Sequence, residues 1–108
     1  MSEQNQDRGT TVEGAYYLAA IKFDQLQSKN MDLPAWLRVA HYARANQGVR
    51  SCESRQSRAE LCRTTGAKNP ARAVTEAVKY GYLREGSSAE CLKLAAVFVD
   101  RKRSARGY

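Results

Sequence analysis

The side chains best suited to catalysis are few and far apart. His41 is the sole histidine of the 108 residues, and the three cysteines are Cys52, Cys62 and Cys91. A Cys3His set could in principle hold zinc. The steps of 11, 10 and 29 residues between His41, Cys52, Cys62 and Cys91 contain no Cys-x-x-Cys pair, the short spacing that marks such sites. Cys62 and Cys91 also fall where the pattern reads as core, and there cysteine acts as a small hydrophobe. A Cys–His nucleophile pair has less support still, and neither a glycine-rich phosphate loop nor a carboxylate cluster with metal spacing is present. The expectation is no enzyme, no metal, no cofactor and no small-molecule substrate.

A second set of residues suggests recognition instead. Arg72, Thr75, Glu76 and Lys79 follow the i, i+3, i+4, i+7 pattern of one helix face. Pro70, Val74, Ala77 and Val78 occupy the opposite face. Arg and Thr donate to base edges, and Lys grips phosphate. Arg72 and Thr75 are therefore candidates for base contacts and Lys79 for phosphate. Lys68 and Asn69, at the helix entrance, could hold a phosphate with help from the positive helix end. Glu76 repels phosphate; it either accepts from a cytosine amino group or pairs with Arg72 or Lys79 along the helix. Farther on, Arg84, Ser87 and Ser88 sit in a turn that could reach a neighbouring groove or phosphate. Arg101, Lys102, Arg103 and Arg106 form a basic tail that could lie along a polyanion. The plain alternative for each is a solvated surface.

Charge is distributed to match. The formal net charge is +7. Residues 1–43 carry four Lys/Arg against five Asp/Glu, and residues 44–108 carry fourteen against six. A basic half-chain points to nucleic acid or an anionic surface. A hydrophobic share of 43% with 27% charged residues is globular rather than disordered composition. No apolar run approaches the roughly 18 residues a membrane span requires. The opening Met-Ser-Glu-Gln-Asn-Gln-Asp is the reverse of a signal peptide, and an odd number of dispersed cysteines suits reduced thiols. A cytoplasmic protein is expected, in a bacterial host cytoplasm or nucleoid.

The elements that position these residues are marked by caps and stops. Residues 1–14 are polar and read as a flexible arm. In 16–23, Tyr17, Ala19, Ile21 and Phe23 alternate as in a strand, while Leu18, Ile21 and Gln25 fit a helical face; a short strand or extended segment is favoured. A helix is expected over 34–46, capped by Asp32 with Pro34 in its first turn. Its apolar stripe is Leu33, Leu37, Ala40 and Ala43, with Trp36 and Val39 beside it, and Asn46-Gln47-Gly48 stops it. Residues 49–52 could form a very short strand. Ser57-Arg-Ala-Glu60 has the form of a capping box and opens a helix that ends at Thr65-Gly66, with Ala59, Leu61 and Cys62 inward. Asn69-Pro70 opens another over 70–80, stopped by Gly81. Residues 82–84, 85–88 and 91–94 read as strand, turn and strand.

Two short helices joined by a tight, Gly-containing turn make a helix-turn-helix unit, whose second helix projects into the major groove. The stretch 33–94 resembles the winged helix-turn-helix proteins of actinobacteria and their bacteriophages, and more broadly replication-initiator-like and MarR-like winged helices. The resemblance rests on four segments in order: Leu-Arg-Val-Ala-His-Tyr-Ala-Arg-Ala-Asn-Gln-Gly at 37–48, Ala-Glu-Leu-Cys-Arg-Thr-Thr-Gly at 59–66, Arg-Ala-Val-Thr-Glu-Ala-Val-Lys-Tyr-Gly-Tyr-Leu at 72–83, and Gly-Ser-Ser-Ala-Glu-Cys-Leu at 86–92. The chain departs from the family in a shorter segment between Gly66 and Val74, with Pro70 inside it. The resemblance implies that Asn69, Arg72, Thr75, Glu76 and Lys79 face the major groove.

The expected architecture is thus mainly α with a small β-hairpin, a winged helix-turn-helix: arm 1–14, domain 15–99, basic tail 100–108. The expected function is sequence-specific binding of double-stranded DNA by a transcriptional or phage-type regulator. A homodimer is expected, since such modules read paired half-sites, with 15–30 or the residues after Leu94 available for the interface. The alternative is a protein-binding adaptor, an antirepressor or replication adaptor on the same scaffold, which would use Tyr16, Tyr17 and Trp36 outside the core.

Overall fold

The computed structural model describes residues 12–48 and 51–99. Its elements in chain order are α1 (Val12–Gln27), α2 (Ala35–Asn46), β1 (Glu53–Arg55), α3 (Arg58–Thr65), α4 (Pro70–Lys79) and β2 (Cys91–Lys93). The described chain is mainly helical, with a small two-stranded antiparallel sheet.

Residues 16–23 are helical, not extended. They lie inside α1, which opens at Val12 and so takes in the end of the stretch read as an arm. The expected alternation fails because the buried seam of α1 is polar. Asp24 and Ser28 are buried, flanked by half-buried Ala20, Ile21 and Gln27, while Ala19 and Phe23 are exposed. That inward set is spaced i, i+1, i+4, i+7, i+8, which only a helix can turn to one side.

Asp24 is what this seam is built around. It is 1% exposed, faces Nδ1 of His41 at 2.8 Å, and accepts from Nε and Nη2 of Arg44 at 3.0 Å each. The Arg44 guanidinium also lies 4.0 Å from the centroid of the Phe98 ring, a cation–π contact. α1 is therefore fastened to α2 by charge, and the end of the chain's core folds over the same point.

Central helix α2 packs against every other helix and both strands. The stripe expected from sequence accordingly widens: Arg38, Val39, Ala40, His41, Tyr42 and Ala43 are all buried, as befits a helix covered on most sides. Asp32 does not cap it. The cap position is Pro34, with no side-chain bond, and the Pro34 carbonyl accepts from the amides of Leu37 and Arg38. With Pro34 extended at the boundary, the helix starts too late for Asp32 to reach its free amides.

The next two helices follow their punctuation. Ser57 accepts from the Glu60 amide at 3.0 Å, which is half of a capping box. The other half is missing because the Glu60 carboxylate turns to Arg63 and Thr64. α3 ends at Gly66, in the left-handed conformation at φ 71°, which glycine adopts without penalty. Leu61 is buried, Cys62 half-buried, and Ala59 exposed rather than inward, because the short α3 turns only a narrow face to the core. Three residues separate Gly66 from Pro70. Asn69 then accepts from the Arg72 amide at 3.1 Å, with Pro70 at the helix start.

β1 and β2 pair in the register Glu53↔Lys93, Ser54↔Leu92, Arg55↔Cys91. The strand thus begins beyond Cys52, which turns the chain at φ 57°, and residues 49 and 50 of the stretch read as a short strand lie outside the described residues. Residues 82–84 join the other side of β2 by the Leu83↔Leu94 bridge and the Arg84 amide to Lys93 carbonyl bond of 2.7 Å. Leu61, Leu83, Leu92, Leu94, Val39, Ala40, Val74 and Ala77 form one core between sheet and helices.

Candidate functional site

α4 is two-faced. Pro70, Ala73, Val74 and Ala77 are buried and Val78 half-buried. Arg72, Thr75 and Lys79 are exposed, and Glu76 is half-buried. The residues singled out from sequence on this helix therefore share one outward face, held there by apolar packing on α2 and α3.

Their donors are differently occupied. Nε of Arg72 lies 3.7 Å from Oε2 of Glu76, a turn away, so Glu76 sits in the helix-surface pair weighed above. That pair is exposed enough for Arg72 to leave at little cost. Thr75 donates to the Ala71 carbonyl at 3.0 Å, which leaves its oxygen able to accept. The Lys79 ammonium lies 5.6 Å from the Tyr80 ring centroid. Lys68 is exposed at the α3–α4 turn. Asn69 is exposed as well, with its side-chain oxygen accepting the cap bond and its amide nitrogen able to donate.

The loop between 84 and 91 is folded on itself. Ser87 accepts from the Lys93 amide at 2.9 Å and donates to the Arg84 carbonyl at 2.8 Å. Ser88 accepts from the Cys91 amide at 3.2 Å. Both serines thus close the loop, and Nε of Arg84 braces the Leu94 carbonyl at 3.0 Å. Arg84 as a residue remains exposed. Arg101, Lys102, Arg103 and Arg106 lie outside the described residues, as do 1–11. So do the side chains of Tyr16 and Tyr17. Trp36 is not a free surface residue: it is half-buried, 4.6 Å from Tyr80 and 5.2 Å from Tyr82 between ring centroids.

Other basic residues enter the picture from structure alone. Arg58, at the start of α3, pairs with Glu90 at 3.3 Å across the base of the loop. Arg38 is buried, with its Nε on the Thr65 carbonyl at 2.7 Å and Nη1 on the Leu33 carbonyl. Nothing in the local sequence separates these arginines from solvated ones. The Glu60 carboxyl is held below its usual range by hydrogen bonds from Arg63 and Thr64 and by the Arg63 charge. Burial, then the charge of Glu60, raises the Tyr42 hydroxyl above its usual value, against a smaller opposite effect of Arg63.

His41 and the cysteines do not converge. His41 is bound to Asp24, and Cys91 lies 3.6 Å from a Glu53 carboxylate oxygen. Among the described residues no group of three or more His, Cys, Asp or Glu is placed to hold a metal ion. No described helix is long and apolar enough to cross a membrane. The chain matches no protein-family model, no curated protein and no solved structure.

Proposed function

We propose that this chain is a winged helix-turn-helix module that binds double-stranded DNA, with α4 reading the major groove and the loop between 84 and 91 serving as the wing. The observation that carries the reading is the outward face of α4, where Arg72, Thr75 and Lys79 stand exposed while the opposite face is locked into the core. The order helix, strand, helix, tight turn, helix, then two antiparallel segments is the order such a module requires. In this reading Arg72 supplies a base contact, Lys68 and Lys79 grip phosphates, and Arg84 touches the backbone from the wing. Because Ser87 and Ser88 are committed to the loop, the wing positions and does not read. The protein acts in the cytoplasm as a transcriptional or phage-type regulator, as a homodimer on paired half-sites, without enzymatic activity.

The test is an electrophoretic mobility assay on sequences selected from a random duplex library. Arg72→Ala should weaken binding by about 1–3 kcal/mol and relax the preference at one position. Lys79→Ala should weaken binding to all sequences alike. Unchanged binding in the double variant would remove α4 from the interface.

A second reading, a protein-binding adaptor, is favoured by the outer face of α1. Leu18, Phe23 and Leu26 are 62%, 52% and 61% exposed, large apolar side chains left open on one helix, as protein contacts often use. Ionic strength separates the two. Binding through phosphates falls steeply with salt, and an apolar interface does not.

A further inference from the structure

We propose that the cleft between the loop preceding α2, the α3–α4 turn and the first turns of α4 is a phosphate-binding site, with Arg38 as its floor. Arg38 lines this cleft together with Lys68, Arg72 and Glu76, yet it is only 6% exposed. Its Nε and Nη1 are held by the carbonyls of Thr65 and Leu33. Neither partner carries charge. No carboxylate pairs with Arg38 among the described residues, and its Nη2 makes no hydrogen bond there. A buried charge is normally neutralised by an ion pair. This one is oriented by two carbonyls and left electrostatically open.

The surroundings supply what an anion needs. Lys68 stands at the rim without an ion pair among the described residues, and Arg72 is held only by the loose 3.7 Å contact to Glu76. Two cations without a carboxylate partner among the described residues, Arg38 and Lys68, therefore face the cleft, with Arg72 and Glu76 paired beside them. Gly66, Ala35 and Ala73 line the same cleft with small side chains, beside the flexible Met31. Guanidinium and ammonium donors converging from separate elements suit a phosphate, whose several oxygens accept from different directions. The source of that phosphate rests on the reading above: it is a backbone phosphodiester of the duplex engaged by α4. A free phosphorylated small molecule would offer the same chemistry.

The experiment is a titration of the full chain with sodium phosphate at neutral pH, followed by amide NMR against sodium chloride of equal ionic strength. Saturable shifts are expected at Gly66, Ala67, Lys68 and Asn69 and at the Nε–H of Arg38. Lys68→Ala should weaken the phosphate affinity by about tenfold, and Glu76→Gln should strengthen it. These variants leave the Arg38 brace intact, so folding does not confound them. Shifts no larger than with chloride, or affinities unchanged in both variants, overturn the proposal. Repeating the titration with duplex bound distinguishes the sources. Loss of the phosphate response assigns the site to the DNA backbone, and an undiminished response assigns it to a free phosphate. If no duplex binds but phosphate saturates and both variants respond, the cleft stands and the DNA reading falls.

Discussion

The carboxylate of Asp24 lies 2.8 Å from Nδ1 of His41, 17 positions away in the chain, and is sealed from solvent at 1% exposure. A carboxylate accepts only, so Nδ1 carries the hydrogen and the ring orientation is fixed. Phe23 and Phe98 stand edge-on to the same imidazole at 5.8 and 5.7 Å between centroids. Asp24→Ala should therefore cost about 2–4 kcal/mol, since it leaves His41 and Arg44 facing a hole without their acceptor. Arg44→Ala should cost less, because Arg44 is partly solvated and Asp24 keeps His41. Urea denaturation with an unchanged slope and a lowered midpoint for Asp24→Ala checks this. A midpoint equal to that of the parent chain would mean that α1 is not fastened through Asp24.

Helix α4 is held by the Asn69 cap as well as by its buried face. Replacing Asn69 by Ala removes the bond to the Arg72 amide and should destabilise the fold by about 1 kcal/mol. Ser57→Ala should do the same for α3 through the Glu60 amide. The two caps are on separate helices and share no partner, so the double variant should lose the sum of the two. Thermal or urea unfolding of the four proteins measures it, and a large departure from the sum would show that the helices fold as one capped unit.

These caps explain which parts of the fold were legible in the sequence. Ser57, Gly66, Asn69-Pro70 and Gly81 act within one helical turn of themselves, so α3 and α4 could be placed from local chemistry. The same holds for the outward face of α4, which follows from helical geometry once Pro70 fixes the start. α1 was hidden because its buried face is Asp24 and Ser28, and the partners of Asp24 lie 17 and 20 residues on. A polar seam leaves no hydrophobic period to read. β1 was hidden for a related reason: Glu-Ser-Arg buries only Ser54, and its pairing partner is β2, nearly forty positions downstream. Arg38 shows the limit most clearly. An arginine in a helix reads as solvated, and only the distant Thr65 carbonyl makes it a buried brace.

Gly66 is the position where one added carbon should do the most harm for its size. Its φ is 71°, and a Cβ there would lie 3.2 Å from the sulfur of Met31. The flexible Met31 side chain can yield, so the cost is mainly the left-handed backbone, about 1–2 kcal/mol for Gly66→Ala. Gly66→Asn should cost less, since Asn tolerates that region better. Circular-dichroism melts of the two variants check the order. Ala at or above Asn in stability would show that the turn can relax into another conformation.

The exposed pair of Glu60 with Arg63 and Thr64 makes a prediction about acid titration. Its hydrogen bonds hold the Glu60 carboxyl below the ordinary value of 4.5. A group lowered in the folded state stabilises fully above its unfolded value and loses that contribution as pH falls through the folded value. Arg63→Ala should therefore raise the Glu60 midpoint toward 4.5, as read by carboxyl carbon NMR, and should remove a small part of the stability advantage of neutral over acidic pH. Thr64→Val should move it the same way by less. A midpoint indifferent to Arg63 would show that the pair does not persist in solution.

Salt dependence is the sharpest measure of how the basic surface is used. Lys68, Arg72, Lys79 and Arg84 are exposed on elements that the DNA reading places along one duplex. If Lys68, Lys79 and Arg84 each neutralise a phosphate, the logarithm of the binding constant should fall with the logarithm of salt with a slope of about −3. Lys79→Ala should flatten that slope by about one unit and weaken all duplexes equally, because a phosphate contact carries no sequence information. Arg72→Ala should change the slope less and the sequence preference more. Arg58 is the internal control. It lies outside the interface that the DNA reading assigns, so Arg58→Ala should leave the slope as it was. A slope near zero in the parent chain would exclude phosphates from the interface and favour an apolar partner on Leu18, Phe23 and Leu26. A slope that Arg58→Ala flattened as much as Lys79→Ala would instead move the contact surface toward the start of α3.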